Sequence, residues 1–116
     1  MPGRVKSCLH DIHAVNDFKK CVKSSRTILA LLGAGLSAPS GLPTFRGAGG
    51  LWRRYSAMDL ATPEAFDADP SLVWAFYSHR RQCALAAQPN RAHWALAGLA
   101  SRKPEYVALS QNVDGE

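Results

Sequence analysis

Cysteine is scarce in this sequence. Cys8, Cys21 and Cys83 are the only three, an odd number without C-x-x-C spacing, so they build neither a disulfide framework nor a local zinc site. Such usage fits a reducing compartment. Long apolar runs are also missing: no stretch approaches the ~18 residues of a membrane span, and no signal-peptide apolar region follows Met1. The basic residues between Met1 and Lys23 are interrupted by Asp11 and Asp17, which leaves a mitochondrial transit peptide without support. There is no internal repeat and no low-complexity tract.

Acidic residues are few, 9 against 14 lysines and arginines, which gives a formal charge of +5. The basic residues do not gather. They lie at Lys19, Lys20 and Lys23, at Arg53 and Arg54, at Arg80 and Arg81, and at Arg102 and Lys103. Without a stacking-aromatic or finger motif beside them, they argue against nucleic-acid binding. What is present is the balance of a globular protein, 47% hydrophobic and 20% charged, in a chain of 116 residues that allows one domain or part of one.

Ile12, Val15, Phe18 and Val22 recur at helical spacing and predict an N-terminal helical segment within residues 1–26, closing near Ser24 and Ser25. Thr27 to Leu32 is apolar without alternation and stops at glycine, as a parallel strand covered on both faces would. Residues 33–50 hold six of the nine glycines and two prolines, and so read as a loop. Asp69-Pro70 is an N-cap followed by proline at the first helical position, opening a helix to about Ala87. Pro89-Asn90 restarts a second helix to about Ser101, and Tyr106 to Ser110 reads as a second strand. Together these make one long βαβ crossover, right-handed if both strands share a sheet.

Gly33-Ala34-Gly35-Leu36-Ser37 follows the first strand directly. Glycine there lets backbone N–H groups approach a pyrophosphate and tolerates unusual φ values. On those residues alone a plain tight turn is the better explanation, because Ala38 is a tolerated third fingerprint position but no acidic residue follows at the ~20-residue distance of the ordinary dinucleotide site.

The longer string, from Gly33 through Gly41-Leu42-Pro43-Thr44-Phe45-Arg46-Gly47 to Gly50-Leu51-Trp52, resembles the signature of the sirtuin family. Ser110-Gln111-Asn112-Val113-Asp114 resembles that family's second motif. The resemblance spans most of the chain from Gly33 onward. It implies an NAD-binding catalytic domain over residues 27–116 and an NAD-dependent protein deacylase activity. By the same resemblance Gly33, Ala34, Gly35, Ser37, Gly41, Pro43, Thr44, Phe45, Arg46 and Trp52 are the cofactor loop. Arg46 would meet phosphate and Phe45 would cover the nicotinamide ribose. Gln111, Asn112, Val113 and Asp114 would line the ribose and nicotinamide side.

The helix from Asp69 to Ala87 places Leu72, Val73, Phe76, Tyr77, Cys83, Ala84 and Ala87 on one face, with Arg80 in its middle. An arginine there must snorkel out or meet a buried anion. Tyr77, three residues earlier, could share an acceptor with it, whereas Arg81 reads as solvated. Spacing alone leaves an internal pair with Asp59 or Glu64 equally open. Tyr77-x-x-Arg80 resembles the pair that marks the class III branch of sirtuins, where it reads the distal carboxylate of succinyl, malonyl or glutaryl lysine. Ala61 matches that branch too, as a small residue that leaves room for the acyl group.

In the family reaction the acyl oxygen attacks the anomeric carbon of NAD, nicotinamide leaves, and a histidine acts as general base. That histidine belongs to a His-Gly pair after the second motif. Here Gly115 still fits, but Glu116 stands where leucine would lead to it, and His10, His13, His79 and His93 lie elsewhere. The four zinc cysteines of the family's small domain are also not found. The expectation is therefore an incomplete Rossmann-like α/β sheet, lacking the zinc-binding small domain and the C-terminal strands. Its catalytic histidine would be missing and its complete form would carry zinc. Acylated lysine proteins would be its partners, in mitochondria or cytoplasm, and a loosely packed or aggregating state is expected for the chain alone. A catalytically dead NAD-binding or regulatory short form is the alternative.

Overall fold

The computed structural model describes residues 11–44 and 52–115. Its elements are α1 (Ile12–Ser24), β1 (Thr27–Leu32), a 3₁₀ turn (Ala38–Ser40), α2 (Ala57–Leu60), α3 (Pro63–Ala68), α4 (Pro70–Ala86), α5 (Arg91–Ala100) and β2 (Glu105–Ser110).

β1 and β2 pair in parallel, with Thr27 opposite Glu105 and Leu32 opposite Ser110. The register is pinned at the N-terminal end by side chains. Arg26 Nε and Thr27 Oγ1 donate to the two carboxylate oxygens of Glu105 at 2.6 and 2.5 Å. Those bonds favour the ionised form and hold the Glu105 carboxyl below the usual glutamate range, Thr27 contributing most. At the other end Gln111 N donates to Leu32 O at 3.1 Å and carries the ladder one step past β2.

Every helix of four or more residues starts on a side-chain acceptor. Asp11 caps α1, Thr62 caps α3 and Asp69 caps α4, its carboxylate accepting from Leu72 N at 3.0 Å. Ser56 and Asp59 form a capping box on α2, and the Ser56 hydroxyl lowers the Asp59 carboxyl. Asn90 caps α5, with His93 closing the reciprocal bond. Each such cap is worth about 1 kcal/mol against alanine.

The core lies beside the sheet. Ala57 and Leu60 of α2 pack with Phe76 of α4, which is 2% exposed, and Trp52, Tyr55 and Leu72 close around them. Trp52 and Phe76 meet edge to face, ring centroids 5.8 Å apart. The sheet is less covered than the sequence predicts. Ile28, Ala30 and Leu32 are half-buried, but Leu29 is 65% and Leu31 70% exposed, and Val107 and Leu109 beside them are also bare. An apolar run specifies burial on both faces, yet among the described residues only one face is covered. The radius of gyration, 18.0 Å, exceeds the about 13 Å of a compact domain of this length, consistent with so small a core.

α1 carries the helical stripe predicted for it without burying it. Val15 and Val22 are half-buried, while Ile12 and Phe18 stand exposed. It is tied down at its end, where Lys103 Nζ donates to the carbonyls of Lys23 and Ser25, both at 2.8 Å. No helix among the described residues is long and apolar enough to cross a membrane.

Candidate functional site

The glycine loop leaves the C-terminal end of β1 and is held from two sides. From β2, Asn112 Nδ2 donates to Gly33 O at 3.1 Å and to Ser37 Oγ at 3.3 Å. From α5, the cap residue Asn90 donates through Nδ2 to Leu36 O at 2.8 Å and to Ser40 Oγ at 3.0 Å, and the Ser40 hydroxyl donates to Gln88 O at 2.7 Å. Ser37 is 2% exposed, a buried hydroxyl whose partner is Asn112. Gly41 closes the 3₁₀ turn at φ +90, a left-handed conformation that glycine adopts without a Cβ penalty.

This fixed loop forms one wall of a cavity of about 500 Å³, through Ala34, Ser37, Leu42 and Pro43. The second wall is α4, with Tyr77, Arg80, Arg81, Ala84 and Leu85. The third is the segment Gln111, Asn112, Val113, Asp114 and Gly115. Size and lining, mostly apolar with a few convergent polar groups, are those of a small-molecule site. Among the described residues a Cβ built on Gly33 or Gly35 would meet nothing within 4 Å, so those residues leave the backbone there uncovered. The cavity, with exposed Ala34 in its wall between the two glycines, has the size and lining of a small-molecule site, the class to which a dinucleotide belongs. A second cleft of about 390 Å³ lies against α5 and shares Asn112 and Asp114 with the first.

The structure thus brings Ala34, Ser37, Pro43, Gln111, Asn112, Val113 and Asp114 together with Tyr77 and Arg80. Gly33 is held to Asn112 through its carbonyl, and like Gly35, Gly41 and Thr44 it shapes the loop without lining the cavity. Trp52 and Ala61 are not in its wall. Trp52 belongs to the core cluster, and Ala61 ends α2. Phe45 and Arg46 lie outside the described residues, as does the beginning of the N-terminal segment.

Of the two readings of Arg80, the structure contains no ion pair with Asp59 or Glu64 among the described residues. Its guanidinium lies over the Phe76 ring, 5.6 Å from the centroid, so the charge leaves the apolar face by stacking along it toward the cavity. Arg81 departs from expectation: it is exposed, but it lines the cavity too. Helical arithmetic centred on the core face misses it, because the cavity-facing side of α4 is rotated away from that face. Leu85 was not singled out, Leu42 was read only as part of the loop string and Ala84 only as part of the apolar face, and apolar residues in a loop and a helix carry no chemical signal that marks a cavity wall.

Of the histidines expected to lie off the catalytic position, His79 stacks beside Trp52 with its Nε2 3.5 Å from Cys83 Sγ, and His13 is on α1. His93 lines the second cleft. No group of three or more His, Cys, Asp or Glu among the described residues is placed to hold a metal ion.

A parallel strand pair joined through helices, with a glycine loop clasped over a mainly apolar cavity, is the arrangement of an α/β protein. The Sir2 family matches residues 33–115, and the chain belongs to that family. It is 53% identical over 103 residues to an NAD-dependent protein deacylase of Candida albicans, covering 87% of this chain and 34% of that one. It is 48% identical over 102 residues to the mitochondrial NAD-dependent protein deacylase sirtuin-5 of Canis lupus familiaris, covering 84% of this chain and 33% of that one. A solved Sir2 homologue in complex with 2′-O-acetyl ADP ribose superposes with a TM-score of 0.80 at 46% identity, over 85% of this chain and 40% of that one. The chain spans about a third of the length of these two relatives.

Proposed function

We propose that the cavity is the cofactor and acyl-reading part of an NAD-dependent protein-lysine deacylase. The observation that carries this reading is the Asn112 clasp, which sets the glycine loop and the 111–114 segment on two walls of one cavity, opposite Tyr77 and Arg80. NAD, when bound, supplies an electrophilic anomeric carbon. The residues of this chain bind and orient. Ala34 and Gly35 offer N–H groups to the pyrophosphate, those of Leu36 and Ser37 being engaged within the turn by the carbonyls of Gly33 and Ala34, and Arg46 joins them as a charged fork with Phe45 over the ribose. Gln111 and Asn112 address the ribose side, Asp114 offers a carboxylate acceptor to the nicotinamide amide, and Val113 flanks it. Trp52 and Thr44 support the loop.

Tyr77 and Arg80 favour an acyl lysine that ends in a carboxylate, such as succinyl, malonyl or glutaryl lysine, over acetyl lysine. A guanidinium held over Phe76 has already lost much of its conformational freedom and is ready for an anion. Ala61 keeps the neighbouring turn small. Acylated lysine proteins are then the partners, in a mitochondrial setting like that in the names of the sirtuin-5 relatives, with the cytoplasm as the alternative. The zinc of the family would be held by residues outside those described, and no step here runs through it.

A second reading, a binder of NAD without turnover, is favoured by the histidines: His13 and His79 do not line the cavity. Amide NMR during an NAD titration tests the shared claim. Shifts should concentrate at Ala34, Ser37, Asn112 and Asp114. Shifts confined to α1 or α3 would refute it. Nicotinamide release from NAD and an acyl peptide then separates enzyme from binder.

A further inference from the structure

Arg81 stands in the same cavity wall as Tyr77 and Arg80, though its neighbour in sequence is turned toward the core. At roughly 100° per residue, Arg81 falls about 40° to one side of Tyr77 along α4 and Arg80 about 60° to the other. The two arginines therefore lie on either side of Tyr77 around the helix surface. Their settings differ. Arg80 is half-buried and stacked on Phe76, a fixed fork at the border of the core. Arg81 is exposed to solvent and makes no ion pair among the described residues. Arg80 and Arg81 share this mainly apolar cavity with one carboxylate, Asp114, so the charged residues of its described lining favour anions by one net positive charge.

We infer that Arg81 is a second specificity-determining residue, a mobile cation that captures carboxylate-bearing acyl lysines electrostatically and hands them to the fixed pair Tyr77 and Arg80. This rests on the acidic-acyl reading of the site. The division of labour follows from burial. A stacked, half-buried arginine forms a short charge-assisted bond that salt screens little, whereas an exposed one acts through a field that salt removes.

The test measures dissociation constants of the 116-residue chain, with ADP-ribose present, for matched peptides carrying succinyl lysine or acetyl lysine. Salt is set at roughly 0.02 M and 0.5 M, on either side of the ionic strength where the Debye length is about 10 Å. For the succinyl peptide, Arg81→Gln should weaken binding roughly threefold at low salt and leave little difference at high salt. Arg81→Lys should retain the wild-type value, because a point charge suffices. Arg80→Met should weaken it roughly tenfold or more at both salts, and circular dichroism of each variant controls for folding. If the wild type prefers the succinyl peptide and Arg81→Gln matches it at low salt, the inference about Arg81 fails while the acidic-acyl reading stands. A wild type without that preference overturns the reading itself, and the inference with it.

Discussion

Asn112, two residues past the end of β2, reaches Ser37, a buried hydroxyl in the turn that follows β1, at 3.3 Å, while the same amide nitrogen holds Gly33 O at 3.1 Å. One side chain thereby joins the ends of both strands and sets the spacing of two cavity walls.

Replacing Asn112 with alanine should leave Ser37 Oγ buried without that donor and free the Gly33 carbonyl. The expected cost is about 1–3 kcal/mol of stability by chemical denaturation. Asn112→Asp should cost at least as much, since a carboxylate would be set against the Gly33 carbonyl, with only the Ser37 hydroxyl able to turn and donate to it.

Asn90 couples helix capping to loop position, accepting from Ala92 N and donating to Leu36 O and Ser40 Oγ. Asn90→Ala should lose about 1–2 kcal/mol, and Asn90→Ser should recover the cap but not the loop contacts. Thermal melts should rank wild type above Asn90→Ser above Asn90→Ala.

The Tyr106 hydroxyl is buried with no hydrogen-bond partner among the described residues. Tyr106→Phe removes an unsatisfied group and should be neutral or stabilising by up to about 1 kcal/mol, read as a raised denaturation midpoint. A clear loss would mean that the hydroxyl has a partner the structure does not show.

Much of this fold was legible in the sequence, for identifiable reasons. β1 is bounded by a glycine, α4 by Asp69-Pro70 and α5 by Asn90, each a signal with a local physical cause. α2 and α3 were not foreseen. Four and six residues are too few to show a helical period, although the Ser56 and Asp59 spacing and Thr62-Pro63 were readable caps. The bare faces of Leu29 and Leu31 escaped because composition reports that a strand wants cover and not what covers it. In the site, the two motifs found the loop and the 111–114 segment. Only three-dimensional packing shows that the cavity side of α4 includes Arg81 and that Trp52 packs into the core.

Glu105 gives a pH dependence with a definite sign. Its folded-state pKa is depressed below the ordinary 4.5 by Thr27 and Arg26, so its contribution is present above that value and is lost as pH falls through the lower folded value. Melting temperatures on an acid titration should fall more steeply for wild type than for Glu105→Gln. Salt should shrink the difference, since Arg26 is largely exposed.

The central claim is that the cavity under the Asn112 clasp binds NAD, and calorimetric titration of the chain with NAD tests it directly. Saturable one-site binding, weakened roughly tenfold or more by Asn112→Ala with the helical content retained, is the predicted result. No saturable binding, or equal affinity in Asn112→Ala, would contradict it.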